Sequence, residues 1–220
     1  MARLLPIGVL VSGEGTTLDA LAVLAADGRL PVRIALVVAD RPSAPAIERA
    51  RRHGLPTLVL GPPDAEPGPW SAALTRALEE GGVELVVTAG FYSILPDVWV
   101  DRWSGRAINL HPSLLPRHGG RGMYGARVHR AVLAAGDRET GATVHLVTRA
   151  VDAGPTIAQA RLAVVAGESA ESLRARLRPV EIDLLAETLR RFADGRLPLP
   201  YRATDGSGDG RRRDGVDGGA

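Results

Sequence analysis

Five short apolar runs, Leu4 to Ser12, Arg33 to Val38, Thr57 to Leu60, Leu85 to Thr88 and Ala107 to Leu110, alternate with segments that read as helices over 18–26, 46–53, 70–80 and 96–103. The connections are short, apart from a Pro-rich stretch from Gly61 to Pro69 that reads as a loop. Strand and helix in strict alternation predict an α/β fold: a mainly parallel, doubly wound sheet covered on both faces, in one domain. Ligands bind such sheets outside the carboxyl ends of the strands. The turns after Ser12, after Ala89 and after Leu110 should therefore share one rim.

Those turns carry the chemistry. Asn109 and His111 alternate at the end of the fifth strand, which Pro112 closes, so both side chains point to one face. The amide offers a donor and an acceptor, and the imidazole can donate, accept or carry a proton near neutral pH. A lone histidine of this kind is commonly structural. Here Ala150-Val151-Asp152-Ala153-Gly154-Pro155 adds a carboxylate in a turn after another apolar strand, and an aspartate beside a histidine raises the imidazole pKa and orients it. The first strand runs into Gly13-Glu14-Gly15-Thr16-Thr17-Leu18, which puts backbone N–H groups and two hydroxyls at a helix N-terminus, an anion site. The turn lacks the third glycine of a dinucleotide fingerprint and the Gly-Lys of a nucleotide phosphate loop, so a simple phosphate is the expected guest. The alternative is a turn that only packs helix on strand.

Beyond His111 the segment from Pro116 to Tyr124, rich in Gly, Arg and His, reads as a lid or a plain connection. A helix over 128–135, a strand over 143–147 and a strand over 156–162 follow. His145, on the first of these strands, reads as packing or orienting a neighbour. Ser169 is the expected N-cap of an Arg-rich helix that Pro179 should interrupt before it resumes through Phe192. Thr204 to Ala220, Gly/Asp-rich with Arg211-Arg212-Arg213, reads as a disordered tail behind a folded domain spanning 1–203.

Composition removes several chemistries. There is no cysteine, hence no disulfide, thiolate metal site or Cys nucleophile. All 27 basic residues are Arg, which excludes a Schiff-base lysine. They are scattered, with a net charge of +2, so a nucleic-acid surface is not expected. No apolar run approaches bilayer length, and the start of the chain lacks a signal-peptide pattern. A cytoplasmic protein without metal is expected, and nothing in the pattern specifies an oligomer.

Six segments in one register, Ser12 to Leu18, Ala89-Gly90-Phe91, Asn109 to Pro116, Gly141 to His145, Val151 to Pro155 and Phe192 to Leu197, resemble the folate-dependent formyltransferases. The resemblance runs from about Leu5 to about Leu197, and is strongest with the members that formylate glycinamide ribonucleotide in purine synthesis. It implies a Rossmann-like fold and 10-formyltetrahydrofolate as co-substrate, with a phosphorylated small-molecule amine as acceptor. Asn109, His111 and Asp152 then match the catalytic trio, and Gly13, Gly15, Thr16 and Thr17 the phosphate site. Gly90, Arg178 and Glu181 match further contacts to the ribonucleotide. Tyr92, Ser93, Ile94 and Leu95, with Val147, Thr148, Val151 and Asp152, line the implied folate pocket. Relatives acting on initiator tRNA or hydrolysing formyltetrahydrofolate usually carry an extra domain, for which 220 residues leave no room. The sequence departs from the family pattern at Thr17, at Tyr92-Ser93, in the longer loop Arg117 to Tyr124, and at Ile182 and Leu185-Ala186. All four bear on the acceptor, which leaves two alternatives: an enzyme for another small amine, or a folate- and phosphate-binding homologue without catalysis.

Overall fold

A computed structural model of the chain describes residues 4–61 and 67–201. The expected tail from Thr204 and residues 62–66 of the Pro-rich loop lie outside the described residues. Five strands are parallel: β1 (Leu5–Val11), β2 (Val32–Ala39), β3 (Thr57–Val59), β4 (Leu85–Thr88) and β5 (Ala107–His111). Two more, β6 (Glu139–Leu146) and β7 (Thr156–Ala163), extend the sheet antiparallel to β5 and to each other. The strand order is β3-β2-β1-β4-β5-β6-β7. It reverses direction between β1 and β4, the place where a doubly wound sheet opens a crevice at its carboxyl edge.

Each face of the sheet has its own core. On one, Ile7, Val9 and Val11 of β1 pack with Leu18 and Leu21 of helix α1 (Thr16–Ala26), Ile47 of α2 (Pro45–Arg52), and Leu185 and Leu189 of α6 (Ala170–Ala193). On the other, Leu10 and Val86 meet Leu74 and Leu78 of α3 (Pro67–Glu80) and the stacked Trp99 and Trp103 of α4 (Asp97–Arg102) and its end. Gly8 sits within β1, where a Cβ would lie 2.6 Å from the Leu78 Cδ2 atom.

Two local expectations are corrected. Residues Pro67 to Pro69 open α3 rather than ending a loop; proline in a first helical turn gives up an N–H that has no intrahelical partner anyway. Helix α6 also runs unbroken through Pro179. Its apolar residues Leu173, Leu177, Leu185, Leu189 and Phe192 are buried on both sides of the proline, so tertiary packing holds a helix that local propensity would stop. Ser169 caps it as expected, accepting from the Ser172 N–H. Among the described residues no helix is long and apolar enough to cross a membrane.

Candidate active site

The sheet register builds the first part of the site. Asn109 on β5 lies opposite Thr88 on β4 and His145 on β6, so three polar side chains stand in a row across the carboxyl edge. Thr88 donates its hydroxyl proton to Asn109 Oδ1 at 2.6 Å. That bond fixes the amide, whose nitrogen then lies 3.0 Å from His145 Nε2 and 3.4 Å from Asp152 Oδ1. The bond to His145 requires that Nε2 accept, and His145 therefore donates from Nδ1 to the Leu146 carbonyl at 2.9 Å. His145 orients Asn109, as the sequence suggested.

His111 is buried two residues further along the strand. Its Nε2 donates to the His118 carbonyl at 2.9 Å, and its Nδ1 faces Asp152 Oδ2 at 3.5 Å. Burial is the largest influence on this imidazole and holds it below its ordinary pKa, although Asp152 and the His118 carbonyl oppose the shift. The expected influence of Asp152 is present and raises the pKa, while burial sets the net direction downward. Burial likewise acts to raise Asp152, but the polar groups around it, the Gly120 N–H 2.9 Å from Oδ2 among them, hold it below the ordinary carboxylate range.

At the end of β1, Gly15 takes φ 69 and no side chain caps α1. A Cβ on Gly15 would lie 2.5 Å from that of Ala46, so α2 can pack against this turn only because the residue is glycine. Helix α1 begins at Thr16, two residues before the expected start, and its first N–H groups are the natural partners of an anion. Beneath the rim lies a buried carboxylate that sequence reasoning missed: Asp40 accepts from Ser12, Ser93 and Arg41. Burial acts to raise it, and these three partners more than reverse the shift. The Ser12 hydroxyl also accepts from the Tyr92 N–H, which ties the loop after β4 to β1.

One cavity of about 410 Å³ is lined by every residue singled out above as a site candidate: Gly13, Gly15, Thr16 and Thr17; Gly90 and Tyr92 to Leu95; Asn109 and His111; Val147, Thr148, Val151 and Asp152; Arg178 and Glu181. The Ser93 hydroxyl is already committed to Asp40. Tyr124 and His129, which the sequence did not single out, line it as well. Tyr124 packs against Tyr92 with ring centroids 4.8 Å apart. His129 sits at the buried side of α5 (Ala126–Ala134), and its Nδ1 makes no hydrogen bond among the described residues.

His129 and Glu181 pull stability in opposite directions with pH. His129 is pushed down to about 4 by burial, with Arg174 and His111 adding to the effect, whereas an unfolded histidine titrates near 6.5. It therefore costs stability as pH falls through that window. Glu181 is pushed up to about 7 by burial, against Arg178 and Arg174, whereas an unfolded glutamate titrates near 4.3. It costs stability as pH rises. Between about pH 5 and about pH 7 the urea midpoint of Glu181→Gln should rise relative to wild type, and that of His129→Gln should fall. Chemical denaturation at the two pH values checks this; parallel behaviour of all three proteins would contradict it.

Sheet order, rim and cavity define a class, and comparison with known proteins identifies it: the chain matches the Formyl transferase family model over residues 5–189 and belongs to that family. Among its relatives, the phosphoribosylglycinamide formyltransferase of Escherichia coli K12 is 34% identical over 199 residues, covering 90% of this chain and 91% of that protein. The trifunctional purine biosynthetic protein adenosine-3 of Gallus gallus is 37% identical over 194 residues, but the match covers 88% of this chain and only 19% of that protein. The crystal structure of glycinamide ribonucleotide transformylase 1 from Symbiobacterium toebii superposes with a TM-score of 0.82 at 38% identity, covering 90% and 92% of the two chains.

Proposed function

We propose that this chain transfers the formyl group of 10-formyltetrahydrofolate to the amine of glycinamide ribonucleotide. The observation that carries the proposal is a single cavity that joins an uncapped helix N-terminus, suited to a phosphate, to Asn109, His111 and Asp152. Its volume of about 410 Å³ falls within the range of small-molecule sites. The relatives named above support the choice of acceptor.

In this account the acceptor phosphate lies on the N–H groups and hydroxyls of the turn Gly13 to Thr17, with Gly90, Arg178 and Glu181 holding the rest of the ribonucleotide. The folate lies against Tyr92 to Leu95 and against Val147, Thr148, Val151 and Asp152. The amine attacks the formyl carbon, a C–N bond forms, and the carbonyl oxygen becomes an oxyanion. Asn109, locked by Thr88 and His145, can turn to it the second amide proton, which Asp152 Oδ1 holds only at 3.4 Å. The attacking nitrogen must then lose a proton, and N10 must gain one before the C–N10 bond breaks. His111 suits both steps. Its Nε2 proton is engaged by the His118 carbonyl, so its Nδ1 lone pair is the basic position, and the imidazolium formed there is stabilised by Asp152 at 3.5 Å. The lowered pKa of His111 favours passing the proton on to N10.

If the phosphate is held as proposed, the corresponding nucleoside without phosphate should lose at least about a hundredfold in kcat/KM, the scale of roughly two charge-assisted hydrogen bonds. Steady-state kinetics with the two acceptors measures this. Equal efficiencies would remove the phosphate site from the account.

A further inference from the structure

Taking His111 and Asp152 as the reacting pair proposed above, we infer that residues 117–120 form a clamp holding both of them, and that Asp137, a residue outside the cavity, is the clamp's anchor. The clamp grips each partner by a main-chain group: the His118 carbonyl takes the His111 Nε2 proton at 2.9 Å, and the Gly120 N–H donates to Asp152 Oδ2 at 2.9 Å. Between them Gly119 lies so close that a Cβ would sit 2.4 Å from Leu115 Cδ2 and 3.2 Å from Asp152 Cβ. Only a bare backbone passes through that gap.

The clamp's conformation does not hold itself. His118 has φ 55, a left-handed backbone that a residue other than glycine keeps only when its surroundings enforce it. The enforcement is visible on the side away from the cavity. His118 Nε2 is 2.7 Å from Asp137 Oδ2, and Arg117 pairs with the other carboxylate oxygen. The Asp137 side chain is only 6% exposed. It follows Gly136, which ends α5 with φ 68, and its own N–H donates to the Val132 carbonyl at 3.3 Å. The Ser113 hydroxyl fastens the near end of the clamp by donating to the Arg117 carbonyl at 2.6 Å. Helix α5 therefore sets, through Asp137 and His118, which nitrogen of His111 carries the proton. With the His118 carbonyl in place, that nitrogen is Nε2, and Nδ1, 3.5 Å from Asp152 Oδ2, keeps its lone pair for the proton that is transferred. Without it, the two tautomers exchange and part of the population presents the wrong nitrogen.

Asp137 and His118 are thus positioning residues, and the test needs a readout that mere loss of stability would not move. Nitrogen-15 NMR of the imidazoles in the folded protein reports the His111 tautomer directly. Wild type should show the Nε2–H form, and Asp137→Ala should show a mixture. In steady-state assays Asp137→Ala and His118→Ala should each lower kcat about tenfold while KM for both substrates stays within about twofold, because geometry at the reacting atoms is lost and the binding contacts are not. Glutamine places its amide nitrogen about where the histidine Nε2 lies and can donate to Asp137, so His118→Gln should keep most of the wild-type kcat. This pair of His118 variants decides the matter even if Asp137→Ala proves too unstable to assay. A wild-type tautomer spectrum and kcat in Asp137→Ala, or equal losses in His118→Gln and His118→Ala, would overturn the inference. The spectra need no turnover, so a wild-type protein that fails to transfer formyl would count against the proposed function, while the clamp would still stand or fall on the His111 tautomer.

Discussion

Asp152→Asn is expected to lower kcat for formyl transfer by about 10²–10⁴-fold, the usual worth of a positioned proton-transfer group, with the fold intact. The substitution is close to isosteric, and the backbone suits it: Asp152 has φ 54, a region that asparagine enters more readily than most residues. What changes is that one acceptor becomes a donor. Oδ2 accepts from the Gly120 N–H at 2.9 Å, and Oδ1 faces the Asn109 amide nitrogen at 3.4 Å. Whichever way the new amide turns, its NH₂ meets a donor. The carboxylate charge that stabilises imidazolium at His111 is also gone. Steady-state kinetics with a thermal melt on the same sample checks the pair of claims, and near-wild-type turnover would remove Asp152 from the mechanism.

Gly154→Ala should damage both stability and activity. A Cβ at this position would lie 1.9 Å from the Leu146 carbonyl oxygen and 2.9 Å from its carbon, and neither can rotate away as a side chain could. The turn carrying Asp152 or the end of β6 has to move, breaking the bond from the Leu146 N–H to the Pro155 carbonyl. Overpacking against backbone belongs at or above the top of the usual range, about 3 kcal/mol, a fall in Tm of roughly 6–12 °C for a domain of this size. A displacement of Asp152 by about 1 Å would add a loss on the order of a hundredfold in rate. Gly68→Ala is the control. It lies in α3 with nothing within 4 Å of the added carbon, and should leave activity unchanged and stability equal to wild type or up to about 1 kcal/mol higher. Calorimetry that finds Gly154→Ala as stable as Gly68→Ala would contradict the packing described for the Asp152 turn.

Much of this was legible in the sequence, for physical reasons that also mark where legibility ends. Apolar runs of strand length alternating with helices leave a parallel sheet as the economical solution, and the rim followed from it, with Asn109 and His111 correctly placed on one face. The turn at Gly15 was visible because a positive φ leaves a compositional trace. Contacts that depend on register or on burial left none. Thr88 reaches Asn109 because β4 and β5 pair in one register, and nothing near Thr88 in the chain announces it. The Asp40 cluster joins residues from three separate loops and strand ends. His129 looks like any helical histidine until α5 turns it inward. The influence of Asp152 on His111 could be inferred from motifs, whereas the burial that acts against it could not. Pro179 misled because local propensity was set against a packed helix face that only tertiary structure supplies.

Formation of tetrahydrofolate from 10-formyltetrahydrofolate, followed by absorbance with and without glycinamide ribonucleotide, tests the central claim most directly. Turnover should depend on the ribonucleotide and be lost in His111→Ala. Formyl release at the same rate without any acceptor, or no release with it, would contradict the assignment of this site to formyl transfer onto that amine.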